Sequence, residues 1–336
     1  MGGSKSLRRQ SDPPDTENHE PDRLDGAGAV SGGGRGEALP VRCAVSYHDE
    51  QVFVSKGVEM AEDAAAIKAA FDAVDQSKPS IARVYDYILG GKDNYVVDQQ
   101  IGDHFKKDLP GSVAIAFTNR QAMVRAIRDM TQAGMRQFID FGSGLPTADN
   151  VHQVAERYAP DARVVYVDND PIVLAHGRAL LATNHHTTVI QADLREPKTI
   201  QQHPEVARLI DFDQPVGVVF SAILHHVNDD EHPGELVREW TDRVAPGSLV
   251  YISHFRSGHN AETEAAQEKL LSTFGRGTWR SDAEIEALFG DLEILEPGIK
   301  YCAQWRPDDQ DAAIGQAGRE LSIWEHLIVS GLARKN

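Results

Sequence analysis

Apolar residues recur at helical spacing in the first patterned part of the chain. Ala64, Ile67, Phe71 and Val74 mark one amphipathic stretch that begins at Ala61, and Ser80 to Leu89 repeats it until Gly90-Gly91 stops it. Val96 to Asp108 and Ser112 to Ala133 predict two further helices. After Gly134 the period changes. Gln137 to Phe141, Arg163 to Asp168, Thr187 to Gln191, Pro215 to Ala222 and Ser248 to Ser253 are short apolar runs suited to buried strands. Helical patterns lie between them at Ala148 to Tyr158, Pro171 to Thr183, Pro197 to Leu209 and Glu231 to Val244. Leu292 to Leu295 and Glu325 to Val329 predict two more strands, and Asp282 to Phe289 one more helix. Strands and helices alternating at this spacing imply a mostly parallel sheet covered on both faces, a doubly wound α/β domain. The all-helical stretch before it reads as a cap.

The residues ahead of this pattern are of a different kind. Gly, Pro, Asp, Glu, Arg and Ser dominate as far as Pro40, and no aromatic residue precedes Tyr47. Such a segment buries too little apolar surface to offset its ordering entropy. Val52-Phe53-Val54 is an isolated alternation. Lys56-Gly57-Val58-Glu59 can be encoded by a purine-rich run resembling a ribosome-binding site, which makes Met60 a candidate start of translation. The expected organisation is therefore a disordered or untranslated tail over 1–59, a helical cap over 60–135 and the sheet domain over 136–336.

Charge and cysteine content narrow the classes of function. Thirty-four basic against 51 acidic residues leave a net charge of −17, so the average surface repels nucleic-acid phosphates and anionic lipid heads. Cys43 and Cys302 alone cannot build a disulfide framework or a four-cysteine zinc site, and a reducing cytoplasm is the expected compartment. No apolar run approaches the ~20 residues of a membrane helix. The pair Arg8-Arg9 lacks the apolar segment of an export signal after it.

In an open α/β sheet, ligands bind beyond the carboxyl ends of the strands. The first predicted strand runs into Gly142-Ser143-Gly144-Leu145-Pro146-Thr147, where two glycines let the backbone approach a ligand. The second ends at Asp168, at the spacing from Gly144 at which a carboxylate accepts hydrogen bonds from ribose hydroxyls; the alternative is that Asp168 or Asp170 caps the helix opening at Pro171, a role for which Asp170 is the better placed, and both can hold at once. The third leads to Asp193-Leu194, where a carboxylate and a backbone amide can read an adenine edge, unless Asp193 pairs with Arg195.

Strand ends carrying Gly-x-Gly, Asp and Asp in this order resemble the S-adenosylmethionine-binding core of class I methyltransferases, over about Gln137 to Ser253. The run from Ala82 through Tyr85-Asp86-Tyr87 and Gly90-Gly91-Lys92-Asp93-Asn94-Tyr95 is similar to the N-terminal signature of an actinobacterial S-adenosylmethionine-dependent methyltransferase family, formerly a domain of unknown function. Tyr166 to Leu174, Ala192 to Pro197, Leu224-His225-His226 and Gly331 to Lys335 extend the match to most of Ser77 to Lys335. The resemblance implies a seven-stranded Rossmann-like sheet of order 3-2-1-4-5-7-6 with the last strand antiparallel. It implies that Asp140, Gly142 and Gly144 face the methionine end of S-adenosylmethionine, Asp168 and Asn169 its ribose, and Asp193 with the Leu194 amide its adenine. Pro146 stands where many such enzymes have a third glycine, and Pro suits a first helical turn.

On the same resemblance His225 and His226 lie beside the transferring methyl, as a general base or as packing groups under the cofactor. A metal set of His225, His226, Asp229 and His232 matches no compact ligand pattern, and no metal is expected. In the cap, Arg83 and Lys92 are candidates for the cofactor's carboxylate, and Tyr85, Tyr87 and Tyr95 for the substrate wall or, at helical spacing, for the core, while Gly90-Gly91 followed by Lys92-Asp93-Asn94 reads as a loop laid on a ligand. The expected function is methyl transfer to a small molecule, with neither nucleic acid nor membrane as partner. A nicotinamide-dependent oxidoreductase and a non-catalytic S-adenosylmethionine-binding regulator are the alternatives.

Overall fold

The computed structural model describes residues 74–146, 149–181, 184–308 and 318–336, all within the unit Val52–Asn336. The 1–59 tail, the Val52–Val54 alternation, the candidate start at Met60, nearly all of the helix expected from Ala61, and Thr147-Ala148 lie outside the described residues.

Three helices come first: α1 (Ile81–Ile88), α2 (Val96–Asp108) and α3 (Ser112–Gln132). Ser80 caps α1 by accepting the Arg83 N–H, and the turn that leaves it needs Gly90 at φ +85°. The following loop, expected to lie on a ligand, instead folds back onto α1. The Asp86 carboxylate accepts the Asp93 N–H at 3.0 Å and the Asn94 amide at 2.8 Å. Gly91 allows this, because a Cβ there would stand 1.9 Å from Asp86 Oδ1.

The sheet then builds in alternation: β1 (Gln137–Phe141), α4 (Val151–Glu156), β2 (Arg163–Asp168), α5 (Pro171–Leu181), β3 (Thr187–Gln191), α6 (Pro197–Gln201), α7 (Pro204–Leu209) and β4 (Gly217–Ser221). It continues with α8 (Pro233–Arg243), β5 (Leu249–Phe255), α9 (Ala261–Phe274), α10 (Asp282–Ala287), β6 (Glu293–Ile294), β7 (Lys300–Tyr301) and β8 (Ile328–Arg334). The strand order is β3-β2-β1-β4-β5-β8-β6, with β7 also on β8. Strands β3 to β5 along this path are parallel, and β8 is antiparallel to β5, β6 and β7. This is the expected doubly wound order, with β8 in the seventh-strand place and the two-residue β7 as an eighth. Every residue of β1 is buried. Phe138 packs with Ile127 and Met130 of α3 on one face, while Ile139 and Phe141 meet Phe220 and Trp240 on the other. Two covered faces explain why the strands read as continuous apolar runs.

Four departures have local causes. The helix expected over Pro197–Leu209 is split, because Pro204 has no N–H to continue α6 and opens α7. The one expected from Glu231 begins at Pro233, after His232 adopts a left-handed conformation at φ 53°. The strand expected over Glu325–Val329 starts at Ile328, because the Glu325 carboxylate accepts the Ser322 N–H at 3.0 Å and holds Glu325–Leu327 in a 3-10 turn. Helix α9 had no counterpart in the sequence pattern, although Asn260 caps it and Gly275 ends it at φ 67°.

Candidate active site

The carboxyl ends of β1 to β4 open onto one cavity of about 690 Å³, within the usual size of a small-molecule site. Gly142 and Gly144 both sit at φ +65°, where a Cβ is strained. Their surroundings differ. A Cβ on Gly142 would stand 2.4 Å from Ile223 Cγ1, so this glycine lets β4's exit loop pack against the β1 turn. Nothing lies within 4 Å of a Cβ on Gly144, which borders the open cavity.

The Asp168 carboxylate accepts the Gly144 N–H at 2.9 Å through Oδ2 and the Asp170 N–H at 3.0 Å through Oδ1. Asp170 caps α5 by accepting the Ile172 N–H at 2.9 Å and also accepts the Ser80 hydroxyl, which ties the cap to β2. Of the two aspartates, Asp170 is thus the one that caps α5. Asp193 accepts both the backbone N–H and the Nε of Arg195 at 2.9 Å, and Arg195 reaches on to Glu231.

Of the residues singled out in the sequence, Asp140, Gly142, Gly144, Asp168, Asn169, Asp193 and Leu194 line one end of the cavity, and Tyr85, His225 and His226 line its middle. Three do not reach it. Lys92 is exposed; the Tyr87 hydroxyl donates to Asp103 at 2.7 Å; and the Tyr95 ring lies under the Arg83 guanidinium, 5.1 Å from its centroid. Arg83 borders the cavity, but its Nε is held at 2.8 Å by Asp98, a buried ion pair, and its Nη2 donates to the Lys78 carbonyl.

Other lining residues were not foreseen. Asn119 and Arg120 of α3 stand in the middle, where Asn119 Oδ1 accepts the Ser253 hydroxyl at 2.6 Å and Ser253 Oγ accepts the Ala222 N–H at 2.9 Å. A polar Asn on an otherwise apolar helix face was the available signal. The far end is apolar, with Phe105, Leu109, Phe255, Leu270, Phe274 and Trp279 in its wall.

Burial dominates the electrostatics. It pushes the Asp140 carboxyl up to about 7, against the opposing charge of Arg120 and with that of Asp168. Asp168 is pushed up to about 6, its two backbone hydrogen bonds offsetting part of the burial. Burial holds His225 well below the usual imidazole value and His226 down at about 4, so both rings are neutral at pH 7. Among the described residues neither His225 Nδ1 nor His226 Nδ1 has a hydrogen-bond partner, and no cluster of three His, Cys, Asp or Glu side chains is arranged to hold a metal ion.

Because the folded state raises Asp140 from 3.8, folding keeps a proton there that the unfolded chain has lost. The resulting stability is complete below 3.8 and lost as pH rises through about 7. The histidines act in the opposite sense, losing stability as pH falls below ~6.5. Asp140→Asn isolates the first effect. It is expected to raise the melting temperature of the unliganded protein at pH 8 and to lose that gain by pH 5, as read by thermal denaturation at both values.

The family model described as S-adenosyl methyltransferase matches residues 67–336. A solved structure of a candidate methyltransferase from Thermobifida fusca shares 42% identity, covers 77% of this chain and 96% of its own, and superposes with a TM-score of 0.72. A DUF574 family protein from Streptomyces avermitilis shares 34% identity, covers 78% of this chain and 99% of its own, with a TM-score of 0.73. No curated protein matches the sequence.

Proposed function

The chain belongs to the S-adenosyl methyltransferase family and is a methyltransferase; from that premise we propose that its cavity takes S-adenosylmethionine along the strand ends and a small-molecule acceptor at the apolar end. One observation carries this reading: a single cavity joins the Asp140, Gly144 and Asp168 edge to an apolar chamber through Tyr85, Asn119 and His225. Family membership displaces both the oxidoreductase and the non-catalytic regulator as readings.

The donor set suits the ligand. Carboxylates at Asp140, Asp168 and Asp193 match an ammonium, ribose hydroxyls and an adenine amino group, and they oppose the phosphates of a dinucleotide. The open space at Gly144 admits a ligand against the backbone. When bound, S-adenosylmethionine supplies a methyl carbon on a cationic sulfur: the acceptor's lone pair bonds to that carbon, the carbon–sulfur pair returns to sulfur, and the acceptor's proton leaves.

The chain's own contribution is largely positional. Holding acceptor and donor in contact supplies on the order of 7 to 11 kcal/mol of the barrier. The cap helices exclude water from above. His225 and His226, neutral at pH 7, can each accept a hydrogen bond from the nucleophile and orient it, while burial leaves both too weakly basic to hold its proton. With a net charge of −17 and only two cysteines, the protein is read as cytoplasmic and without a nucleic-acid partner; among the described residues no helix is long and apolar enough to cross a membrane.

Calorimetry with S-adenosylhomocysteine and with NAD tests the reading. S-adenosylhomocysteine should bind and NAD should not; binding of NAD alone would overturn it. Since Asp140 must ionise to meet an ammonium and titrates at about 7, the product's affinity is expected to be about tenfold weaker at pH 6 than at pH 8. A flat profile would remove Asp140 from the contact.

A further inference from the structure

The apolar end of the cavity is specific in its chemistry. Its wall comes from α2 and the turn after it on one side and from β5, α9 and the segment after α9 on the other, through Phe105, Leu109, Phe255, Leu270, Phe274 and Trp279. None of these carries a charge. Of the basic residues nearest in sequence, Arg276 also lines the cavity but is paired with Glu231 at 2.5 Å and donates to the His226 carbonyl at 3.0 Å, and Arg280 is bound to the Leu224 and Val227 carbonyls and to Asp229. A carboxylate or phosphate in this chamber would be desolvated and would have to displace Glu231 from Arg276 to gain a counter-charge.

The aromatic rings are arranged in near-parallel pairs. Phe105 and Phe274 lie 6.1 Å apart with 9° between their planes, and Phe255 and Trp279 lie 5.1 Å apart with 16°. His225 meets the Phe255 ring edge-on at 4.8 Å, which marks where the chamber gives way to the polar middle of the cavity. Flat rings pack best on such faces, offset or edge-on. Leu270 and Phe274 are only half-buried, leaving apolar surface for a ligand to cover. Two polar atoms in the same cavity wall, Ser112 Oγ and Trp279 Nε1, belong to residues 5% and 6% exposed and have no hydrogen-bond partner among the described residues. A buried donor left unpaired costs about 1 to 3 kcal/mol, which an oxygen on the ligand would recover.

We propose that the methyl acceptor is an uncharged, flat aromatic molecule bearing a hydroxyl, held in the chamber formed by Phe105, Phe255, Leu270, Phe274 and Trp279. This rests on the methyltransferase reading and adds the acceptor's class to it. A hydroxyl stays neutral there and can pair with Ser112 Oγ or Trp279 Nε1, whereas an alkyl amine would enter as a cation.

The test uses the full chain and three probes of one shape: 2-naphthol, 2-naphthoate and the cation of 2-naphthylmethylamine. Each is titrated calorimetrically with and without saturating S-adenosylhomocysteine, whose own titration judges the donor site separately. Naphthol should bind at least about tenfold more tightly than either charged probe. Leu270→Trp, which fills the chamber, should weaken naphthol about tenfold or more while S-adenosylhomocysteine still binds. Leu270→Arg should shift the preference toward naphthoate, a gain that a misfolded protein cannot produce. Equal or tighter binding of either ion by the unaltered protein, or naphthol binding indifferent to both substitutions, would overturn the assignment. Failure of S-adenosylhomocysteine to bind would strike the donor site alone, with the naphthol series still deciding the chamber.

Discussion

Asp168→Ala is expected to weaken S-adenosylhomocysteine binding by ~1.5 to 3 kcal/mol for each charge-assisted bond to a ribose hydroxyl, a loss of tenfold to more than a hundredfold. The carboxylate is positioned before any ligand arrives, because its two oxygens are held by the Gly144 and Asp170 N–H groups. Each oxygen retains a lone pair for a ligand. Alanine removes both acceptors and also releases the Gly144 amide, so the β1 turn itself loses a contact. Asp168→Asn separates the two effects. It keeps one carbonyl acceptor for the turn but cannot accept from two hydroxyls, and its affinity should fall between those of the wild type and the alanine variant. Titrations belong at pH 8, where a carboxyl titrating at about 6 is ionised. A folded Asp168→Ala protein that binds S-adenosylhomocysteine with unchanged affinity would remove this residue from the site.

The strand-end half of the cavity was legible in the sequence because the physics there is local. Parallel strands buried on both faces announce themselves as unbroken apolar runs, and a ligand site at their carboxyl ends follows from topology, so Gly142, Gly144, Asp168 and Asp193 could be named from position alone. The cap was harder to read. Helical spacing shows that Tyr85, Tyr87 and Tyr95 recur, but not which neighbour each ring meets; only Tyr85 turns to the cavity, while Tyr87 goes to Asp103 and Lys106. The glycine pair after α1 looked like a ligand loop because close backbone approach has one sequence signature, whatever is approached. Here it is Asp86.

Helix α9 carries a weak sequence pattern for a related reason. Glu262, Glu264, Gln267, Glu268 and Lys269 crowd it, and only Ala266, Leu270 and Phe274 form an apolar line at every fourth position. That narrow stripe faces a cavity rather than a sheet, so it lacks the broad apolar face by which core helices are recognised. Two of the apolar residues at the far end of the cavity, Leu270 and Phe274, thus come from an element whose cavity-facing position leaves it with a weak hydrophobic pattern.

Asp98→Ala is expected to destabilise the protein by about 3 to 5 kcal/mol, the usual cost of stranding one partner of a buried ion pair. Asp98 is fully buried and joins three parts of the cap. One oxygen accepts the Ser80 N–H at 3.0 Å; the other accepts Arg83 Nε and the Tyr95 N–H, each at 2.8 Å. Ser80 in turn donates to Asp170, so the loss should reach the β2 edge and loosen the cap over the cavity. For a protein of this size the melting temperature should drop by roughly 10 °C. Arg83→Gln then decides between the two roles open to Arg83. If its guanidinium serves Asp98, the variant loses stability comparably while its folded fraction binds S-adenosylhomocysteine with unchanged affinity. If instead it meets the ligand's carboxylate, stability holds and affinity falls about tenfold or more. The arrangement of Asp98, Ser80 and Tyr95 around it favours the first outcome, and urea denaturation alongside calorimetry on the same two variants separates them.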